Sequence, residues 1–415
     1  MAQDTDEVVV ALDVGSQKVL CVVAKPGEAP GTCQVLGFGH VASDGIVEGT
    51  VVSIEAAVRS VRHAVSEAFY TSGVPISQVW AAIGGKSMTS ASCEGTAVVR
   101  GNEVHDAEVT IARQNARDHA EATAQTNGRD LIKLIPQGFE IGDAVVLEPN
   151  TPEGLAGSRL VCRVHAVYGS ALNAENLKRC LARSELELVG YEPHPWAAAK
   201  AVLTPSEMIC GTAVIDIGAQ TTSIAVFSGK MLRHTEVCKW GSERLTMDLS
   251  QVLGISLEEA EELKVRVGRC SLKEVIPGEM VQAKDPSVSY SRELVAKTLA
   301  ARVREFFRLY EEHLRTAGVW DEVGAIVLTG GGAHLQDIDV LARETTGKSV
   351  RIGYPRWIEG DAPMLCRPEA SVAMGLVRCA FEGADAEEEK RRTHVRRRRL
   401  PQFMNRVITF FVGDY

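Results

Sequence analysis

The spacing of apolar residues along the chain predicts strands and helices in repeated succession. Residues 8–26 and 32–41 have the apolar, β-branched character of strands and are separated by Pro-Gly breaks. Residues 53–73 repeat apolar side chains at helical spacing, with Ser53 placed to cap the helix and Gly73 placed to end it. Residues 241–264 also show a helical pattern. The chain is therefore expected to adopt an α/β fold.

Two segments about two hundred residues apart each read as an apolar strand that ends in Asp-x-Gly. The reversals carry Asp13 and Gly15 in the first segment, and Asp216 and Gly218 in the second. A carboxylate at a strand end, beside a glycine that permits a tight turn, is suited to face a metal-bound phosphate. The residues that follow offer backbone N–H groups and hydroxyls to phosphate oxygens. Two such hairpins predict two lobes with one nucleotide between them.

A third segment, residues 325–333, is an apolar strand that breaks into Gly330, Gly331 and Gly332. Backbone without a Cβ atom can lie flat against a planar ligand. One glycine-rich loop is a weak signal, because ordinary turns between strands also contain glycine. Three elements in the order phosphate, phosphate, adenosine are harder to explain as turns, and they predict a cleft for an adenine nucleotide.

The charge of the chain is unevenly distributed. The net charge is −9, but residues 390–415 hold eight Lys and Arg and one acid, which gives +7 and leaves −16 for residues 1–389. We expect this acidic body to be repelled by nucleic acid and by anionic lipid. The acidic start and the lack of a long apolar run predict neither a secretory signal nor a membrane-spanning helix. Ten scattered cysteines, with no C-x-x-C pair and no His/Cys cluster at zinc-ligand spacing, predict reduced thiols in a cytosolic protein.

The C-terminal tail combines a basic run with an apolar helical face. It could dock on the protein's own core, bind nucleic acid or stay unstructured. An acidic linker before the basic run argues against docking, and a continuous apolar face argues against a purely electrostatic arm. We therefore predict a helix over residues 399–413 that lies in a membrane interface. The residues expected to meet the lipid are Arg396, Arg397, Arg398, Arg399, Leu400, Phe403, Met404, Arg406, Val407, Ile408, Phe410 and Phe411.

The chain resembles the FtsA family of bacterial cell-division proteins, which are actin-like, bind ATP and tie the FtsZ ring to the inner membrane. The resemblance runs from about residue 8 to the C-terminus and includes segments 133–137, 233–235, 260–266 and 324–333. It implies an actin-like (ribonuclease H-like) two-lobed fold with ATP and Mg²⁺ in the cleft. The implied partners are FtsZ, further copies of the chain in a polymer, anionic membrane lipid and later divisome proteins, with no nucleic acid. The implied location is the cytoplasmic face of the inner membrane at the division septum.

The resemblance also implies roles for individual residues. Asp13 and Asp216 would face the metal and contact it through water. The first phosphate loop would be Gly15, Ser16, Gln17 and Lys18, and the second Gly218, Gln220, Thr221 and Thr222. Glu192 would order water near the γ-phosphate, with Asp216 as a second catalytic candidate. Gly241, Glu261 and Lys264 would contact the nucleoside, Gly330, Gly331 and Gly332 would line the adenine, and Arg302 would contact FtsZ.

The family further implies a division into subdomains. Subdomain 1A would comprise residues 7–86, 165–205 and 355–381, and subdomain 1C, an insert that serves assembly, residues 87–164. Subdomain 2A would comprise residues 206–235 and 300–354, and subdomain 2B, facing FtsZ, residues 236–299. A disordered linker with the basic run, residues 382–398, would lead to the amphipathic helix at 399–413.

The second phosphate loop departs from the family's usual Asp-Ile-Gly-Gly-Gly-Thr-x-Asp pattern. Ala219 and Gln220 replace two glycines, and Ser223 replaces the second Asp. ATP binding with weak or absent hydrolysis is therefore expected, as suits a scaffold. The alternatives are a phosphotransferase of the sugar-kinase type and an actin-like adaptor of pilus assembly. The first lacks a further carboxylate base beside the cleft motifs, and an Hsp70-like chaperone would need a substrate domain after the ATPase portion.

Overall fold

Three sheets of four to six strands carry the fold of residues 8–283, 287–360 and 362–383, which the computed structural model describes. The strands are β1 (Val9–Val14), β2 (Lys18–Pro26), β3 (Cys33–Ala42), β4 (Ile46–Val47), β5 (Thr50–Val51), β6 (Gln78–Ile83), β7 (Thr89–Val98), β8 (Asp130–Ile141), β9 (Ala144–Leu147), β10 (Arg159–Gly169), β11 (Glu187–Pro193), β12 (Thr212–Ile217), β13 (Thr222–Ser228), β14 (Met231–Cys238), β15 (Met280–Gln282), β16 (Ser289–Ser291), β17 (Ala325–Thr329), β18 (Ser349–Ile352) and β19 (Ile358–Glu359). The helices are α1 (Ile54–Ser72), α2 (Asp106–Thr126), α3 (Ala171–Arg183), α4 (His194–Val202), α5 (Pro205–Cys210), α6 (Glu243–Leu253), α7 (Leu257–Val267), α8 (Arg292–Thr316), α9 (Ile338–Thr346) and α10 (371–383).

Two of the sheets repeat one topology. In the first lobe the strand order is β11-β6-β1-β2-β3-β19, and β1 pairs antiparallel with β2 and parallel with β6. In the second lobe the order is β14-β13-β12-β17-β18, and β12 pairs antiparallel with β13 and parallel with β17. Strands β1 and β12 therefore occupy equivalent central positions. The predicted hairpins are confirmed, and each places its Asp near the end of a central strand.

Helix α1 covers the first sheet and has the ends that the sequence predicts. The Ser53 hydroxyl accepts a hydrogen bond from the Ala56 N–H, which satisfies one free donor of the first turn. At the other end Gly73 adopts the left-handed conformation with φ 68°, and its N–H donates to the Phe69 carbonyl. The helix presents small residues to the sheet, where Ala57, Ala64 and Ala68 are fully buried.

The third sheet, with strand order β7-β10-β8-β9, forms the insert together with α2. Alanines of α2 pack on this sheet, and Gly95 lets them approach, because a Cβ atom there would lie 2.0 Å from the Ala116 nitrogen. Strand β10 continues to Gly169 and pairs Tyr168 with Thr89. The sheet therefore extends past the predicted limit at residue 164. The predicted limit at residue 235 likewise falls within β14, and the division into subdomains stays a prediction.

Two local predictions are wrong in their extent. The helix predicted over residues 241–264 is two helices, α6 and α7, because Gly254 ends α6 in the left-handed conformation with φ 68° and Ser256 caps α7. The pattern of residues 95–99 also predicts a short strand, and this strand begins earlier, at Thr89. Its polar start lacks an apolar pattern because Ser90 is bonded to β14, accepting from the Thr235 N–H at 2.7 Å.

The predicted linker and membrane helix lie outside the described residues, except that residues 382 and 383 end α10. Among the residues that are described, no helix combines the length and the apolar character needed to span a membrane.

Candidate functional site

A cavity of about 790 Å³ lies between the two lobes and gathers most of the predicted nucleotide residues. It is bounded by the turns after β1 and β12, by the glycine loop after β17, and by α7. The predicted residues among its lining are Asp13, Gly15, Ser16, Gln17, Lys18, Asp216, Gly218, Gln220, Thr221, Glu261, Lys264, Gly330, Gly331 and Gly332. Segments far apart in sequence thus converge because the two lobes repeat one topology.

Asp13 presents a buried carboxylate to this cleft. One oxygen accepts a hydrogen bond from the Lys18 ammonium at 2.9 Å. The other oxygen, Oδ1, is buried and has no hydrogen-bond partner among the described residues. Burial raises the pKa of this carboxyl, but the positive charges of Lys18 and His194 outweigh burial and hold the pKa below its usual value. Asp13 is therefore an anion whose Oδ1 accepts no hydrogen bond from the described residues and lies 3.8 Å from His194 Nε2.

Asp216 occupies the equivalent position in the second lobe. Burial raises its pKa above the usual value, and the negative charge of Asp13 adds to that effect while His194 opposes it. The two carboxylates thus differ in their readiness to ionise, and a cation between them would favour the charged form of both.

His194 is a cleft residue that the sequence reasoning missed. Its imidazole lies between the lobes, with Nε2 3.8 Å from an Asp13 oxygen and Nδ1 3.6 Å from an Asp216 oxygen. Nδ1 also pairs with the Ser223 hydroxyl at 3.0 Å. In the sequence it directly follows Glu192-Pro193, and no motif distinguishes it. His40, His334, Arg367 and Glu369 also line the cavity and were not predicted.

The three glycines after β17 differ in what a side chain at each position would meet. Gly330 has a φ of 81°, and a Cβ atom there would lie 2.1 Å from an Asp216 oxygen. A Cβ atom on Gly332 would lie 2.4 Å from the Ile217 side chain. At Gly331, no atom of the described part of the chain, other than its sequence neighbours, lies within 4 Å of the Cβ position. Packing against β12 therefore requires two of the glycines, and the third leaves open space beside the backbone at the cavity.

A polar cluster on α6 and α7 forms another wall. The Lys264 ammonium lies 2.6 Å from a Glu261 carboxylate oxygen and donates to the Thr246 hydroxyl at 2.9 Å. Glu261 also accepts a hydrogen bond from Thr246. This cluster places a carboxylate and an ammonium group together at the cleft, where they suit the hydroxyls of a sugar.

Gly241 and Thr222 do not line the cavity but contact the backbone of the second phosphate loop and its neighbours. A Cβ atom on Gly241 would lie 2.3 Å from the Ala219 carbonyl oxygen. The buried Thr222 hydroxyl donates to the Trp240 carbonyl and pairs with the Tyr310 hydroxyl at 2.9 Å. Both residues act on the cleft only through neighbouring backbone.

Gln220 is an unusual residue of the second loop that bonds across the lobes. Its side-chain oxygen accepts a hydrogen bond from the Glu48 N–H at 2.8 Å. The replacement of a glycine by Gln220 thus adds a contact between the lobes at the mouth of the cleft.

Glu192 and Arg302 are not brought into the cleft. The Glu192 carboxylate pairs with Lys133 of the insert at 3.0 Å. Burial raises the pKa of Glu192, and Lys133 opposes the rise. Arg302 forms ion pairs with Asp248 at 2.5 Å and Glu305 at 2.6 Å. The predicted roles of Glu192 toward water and of Arg302 toward a partner stay predictions.

The residues present fit a nucleotide phosphate group with a divalent cation. The buried Asp13 Oδ1, which accepts no hydrogen bond from the described residues, is a hard ligand of the kind Mg²⁺ prefers. Gly331 leaves room for a planar ligand.

Profiles of two protein families match the chain. The family described as Cell division protein FtsA matches residues 213–375, and the family described as SHS2 domain inserted in FTSA matches residues 85–168. Solved structures show the fold alone, at 15% identity. A PilM-PilN type IV pilus biogenesis complex has a TM-score of 0.63 over 89% of this chain and 97% of that one. MreB5 of Spiroplasma citri bound to ADP has a TM-score of 0.56 over 92% and 98%. The fold is the actin-like two-lobed fold with the insert.

Relatives in several bacteria are similar over almost the whole chain. The Cell division protein FtsA of Neisseria meningitidis serogroup B is 32% identical over 380 residues, which cover 90% of each chain. That of Pseudomonas aeruginosa is 30% identical over 376 residues, 89% of this chain and 88% of the relative. That of Escherichia coli K12 is 30% identical over 413 residues, 95% and 96% of the two chains. The chain therefore belongs to the FtsA family of cell division proteins.

Proposed function

We propose that this chain binds ATP with Mg²⁺ in the cleft between its lobes, polymerises at the inner membrane and anchors the FtsZ ring there. The observation that carries the nucleotide proposal is the convergence of two Asp-x-Gly turns and the glycine loop on one cavity. Two structures with the same fold support it, since they are described as MreB5 bound to ADP and to AMPPNP. Family membership favours cell division over a sugar kinase or a pilus-assembly adaptor.

Asp13 and Asp216 would hold the cation, mainly through water, and the cation would neutralise phosphate charge. Ser16 and Thr221 would offer hydroxyls to phosphate oxygens, and the backbone of both loops would offer N–H groups. Glu261 and Lys264, already paired at 2.6 Å, would bind the sugar. Gly331 would leave space for the adenine ring.

Weak or absent hydrolysis is part of the proposal. Ser223 replaces the family's second Asp and pairs with His194, so this position supplies no carboxylate. The Glu192 carboxylate is held by Lys133 at 3.0 Å, and moving it toward water would break that pair. A nucleotide that is bound and slowly turned over suits a scaffold whose assembly depends on occupancy.

The membrane and partner proposals rest on the sequence and the family. The basic run and apolar face of residues 396–411 combine attraction to anionic headgroups with apolar burial. Polymerisation would strengthen binding, because several tethered tails reach one surface. The chain would lie at the cytoplasmic face of the inner membrane at the septum, with FtsZ and later divisome proteins as partners and residues 236–299 facing FtsZ.

Co-sedimentation with anionic vesicles tests the anchor. The full chain and a chain that ends at His394 are compared with and without ATP, and FtsZ is then added. We expect sedimentation that needs the tail and increases with ATP, and we expect FtsZ to sediment only with the full chain. If both chains stay in the supernatant under every condition, the anchor proposal is wrong.

A nucleotide control separates the two parts of the proposal. Gly331→Val should keep the tail and remove the dependence on ATP, because its side chain would enter the cavity. If vesicle binding of this variant still increases with ATP, the cleft does not control assembly.

A further inference from the structure

A second polar cluster lies between the insert and the second lobe, away from the nucleotide cleft. Glu236 and Cys238 are two residues apart on β14, so their side chains share one face of the strand. His313, near the end of α8, packs against that face. One donor atom from each of the three lies within 4.8 Å of the other two.

The two distances from His313 Nδ1 to the other donor atoms are close to those of a tetrahedral zinc site. Bond lengths of about 2.0–2.1 Å to nitrogen or oxygen and about 2.3 Å to sulfur place neighbouring ligand atoms roughly 3.3–3.6 Å apart. The Glu236 Oε2 to His313 Nδ1 distance is 3.1 Å, and the Cys238 Sγ to His313 Nδ1 distance is 3.8 Å. Shifts of a few tenths of an ångström would bring both pairs into the range.

Buried polar atoms beside the cluster lack partners. Glu236 Oε1 and His234 Nε2 are both buried without a hydrogen bond among the described residues, and they lie 3.7 Å apart. An ion pair between His313 and Glu236 explains the 3.1 Å contact, whereas the 3.7 Å approach of His234 Nε2 to Glu236 Oε1 is an ion-pair contact too long for a hydrogen bond. A bound cation would satisfy Glu236 and explain why donors gather here.

An open route leads to the cluster. A cavity of about 820 Å³ is lined by residues that include His234, Glu236 and His313. An ion could therefore enter from solvent, and one coordination position would face the groove. Cys238 lies at the inner end of the cluster, buried.

We propose that Glu236, Cys238 and His313 bind one Zn²⁺ ion, with the fourth position open to the groove. A thiolate, an imidazole and a carboxylate are the donors that zinc takes, and the thiolate selects against Mg²⁺ and Ca²⁺. Zinc binds the thiolate form of cysteine, so its binding displaces the thiol proton. The ion would tie β14 to α8 and stabilise this face of the second lobe.

Cobalt substitution in the untagged, metal-stripped full chain tests the site. We expect one equivalent of Co²⁺ to give a thiolate-to-cobalt charge-transfer band in the near ultraviolet, and Zn²⁺ to abolish the band by displacement. A cation in the nucleotide cleft would give no such band, because the described residues lining that cleft include no cysteine.

Matched variants assign the ligands. Cys238→Ser should abolish the charge-transfer band, whereas Cys210→Ser, at an exposed cysteine, should keep it. Glu236→Gln and His313→Ala should weaken binding by more than about tenfold. Circular dichroism checks that each variant is folded.

The proposal is overturned if the wild-type chain gives no thiolate band with Co²⁺, a result that depends on no variant. It is also overturned if Cys210→Ser abolishes the band, or if folded Glu236→Gln and His313→Ala variants bind as tightly as wild type.

Discussion

Replacing His165 with glutamine should flatten the acid side of the stability profile. His165 is fully buried on β10, where its Nε2 pairs with the Thr235 hydroxyl at 3.0 Å. Its Nδ1 has no hydrogen-bond partner within the described part of the chain. Burial lowers the pKa of this imidazole to about 3, and the positive charges of His234 and Arg233 add to the effect. Glutamine keeps a polar group near Thr235 and removes the titration.

The magnitude follows from the difference between the folded and unfolded pKa values. The folded pKa of about 3 lies below the ordinary value of 6.5, so the fold holds His165 neutral while the unfolded chain takes up a proton below pH 6.5. The stability from His165 is therefore fully present above pH 6.5 and is lost as pH falls toward 3. Each pH unit corresponds to about 1.4 kcal/mol, so at pH 5.0 the loss is about 2 kcal/mol.

Urea unfolding followed by circular dichroism at pH 7.5 and pH 5.0 measures this difference. Wild type should lose about 2 kcal/mol more than His165→Gln between the two pH values. His63→Gln, at an exposed histidine, is the matched control and should follow wild type. If the free-energy difference between wild type and His165→Gln is the same at both pH values, His165 does not titrate as the structure implies.

Three further variants test other parts of the structure. The two bonds from Arg351 to Glu207, at 2.7 and 2.9 Å, outweigh burial and help to lower the pKa of Glu207 to about 2. The stability contributed by the Glu207 carboxylate is present above pH 4.5 and is lost as pH falls toward 2. Allowing for partial exposure, Glu207→Gln should lower the free energy of unfolding in urea by about 1–2 kcal/mol at pH 7 and by less at pH 3.5. An equal loss at both pH values would refute this. Asp13→Asn should weaken Mg²⁺-dependent ATP binding by about tenfold or more in calorimetry, with little effect when EDTA removes the cation; an unchanged affinity with Mg²⁺ present would exclude Asp13 from the metal site. Gly95→Ala should destabilise the chain by about 1–3 kcal/mol in urea unfolding, because the new methyl group meets the α2 backbone; a loss no larger than that of Gly142→Ala, where space is open but φ is 55°, would show that the contact relaxes.

Local chemistry made much of the fold predictable from the sequence. The caps of α1 are set by Ser53 and Gly73 themselves, and the two Asp-x-Gly turns are short hairpins whose strands are adjacent along the chain. Their repetition indicated two lobes, and Gly330 proved necessary because of its contact with Asp216. These features depend on neighbours in sequence or on one repeated pattern.

Long-range contacts account for what the sequence did not reveal. Nothing near His194 indicates that it lies between two carboxylates, since that position depends on how the lobes close. Glu192 faces Lys133, which belongs to the insert. The spacing of His and Cys along the sequence does not indicate the proposed zinc site, because His313 is 75 residues from Cys238. The break between α6 and α7 is instead a local feature that Gly254 and Ser256 indicate, and it was missed because the apolar spacing continues on both sides of them.

Calorimetric titration with ATP and Mg²⁺ tests the central claim most directly, when wild type is compared with Gly331→Val. Apart from its neighbours along the chain, no atom of the described residues lies within 4 Å of a Cβ at Gly331, so the variant should fold normally while its side chain enters the cavity. Gly383→Val, at the end of α10, is the control outside the cleft. We expect one ATP site in wild type and in the control, and loss of that site in folded Gly331→Val. Absence of binding in wild type, or equal binding in Gly331→Val, would contradict a nucleotide site between the lobes.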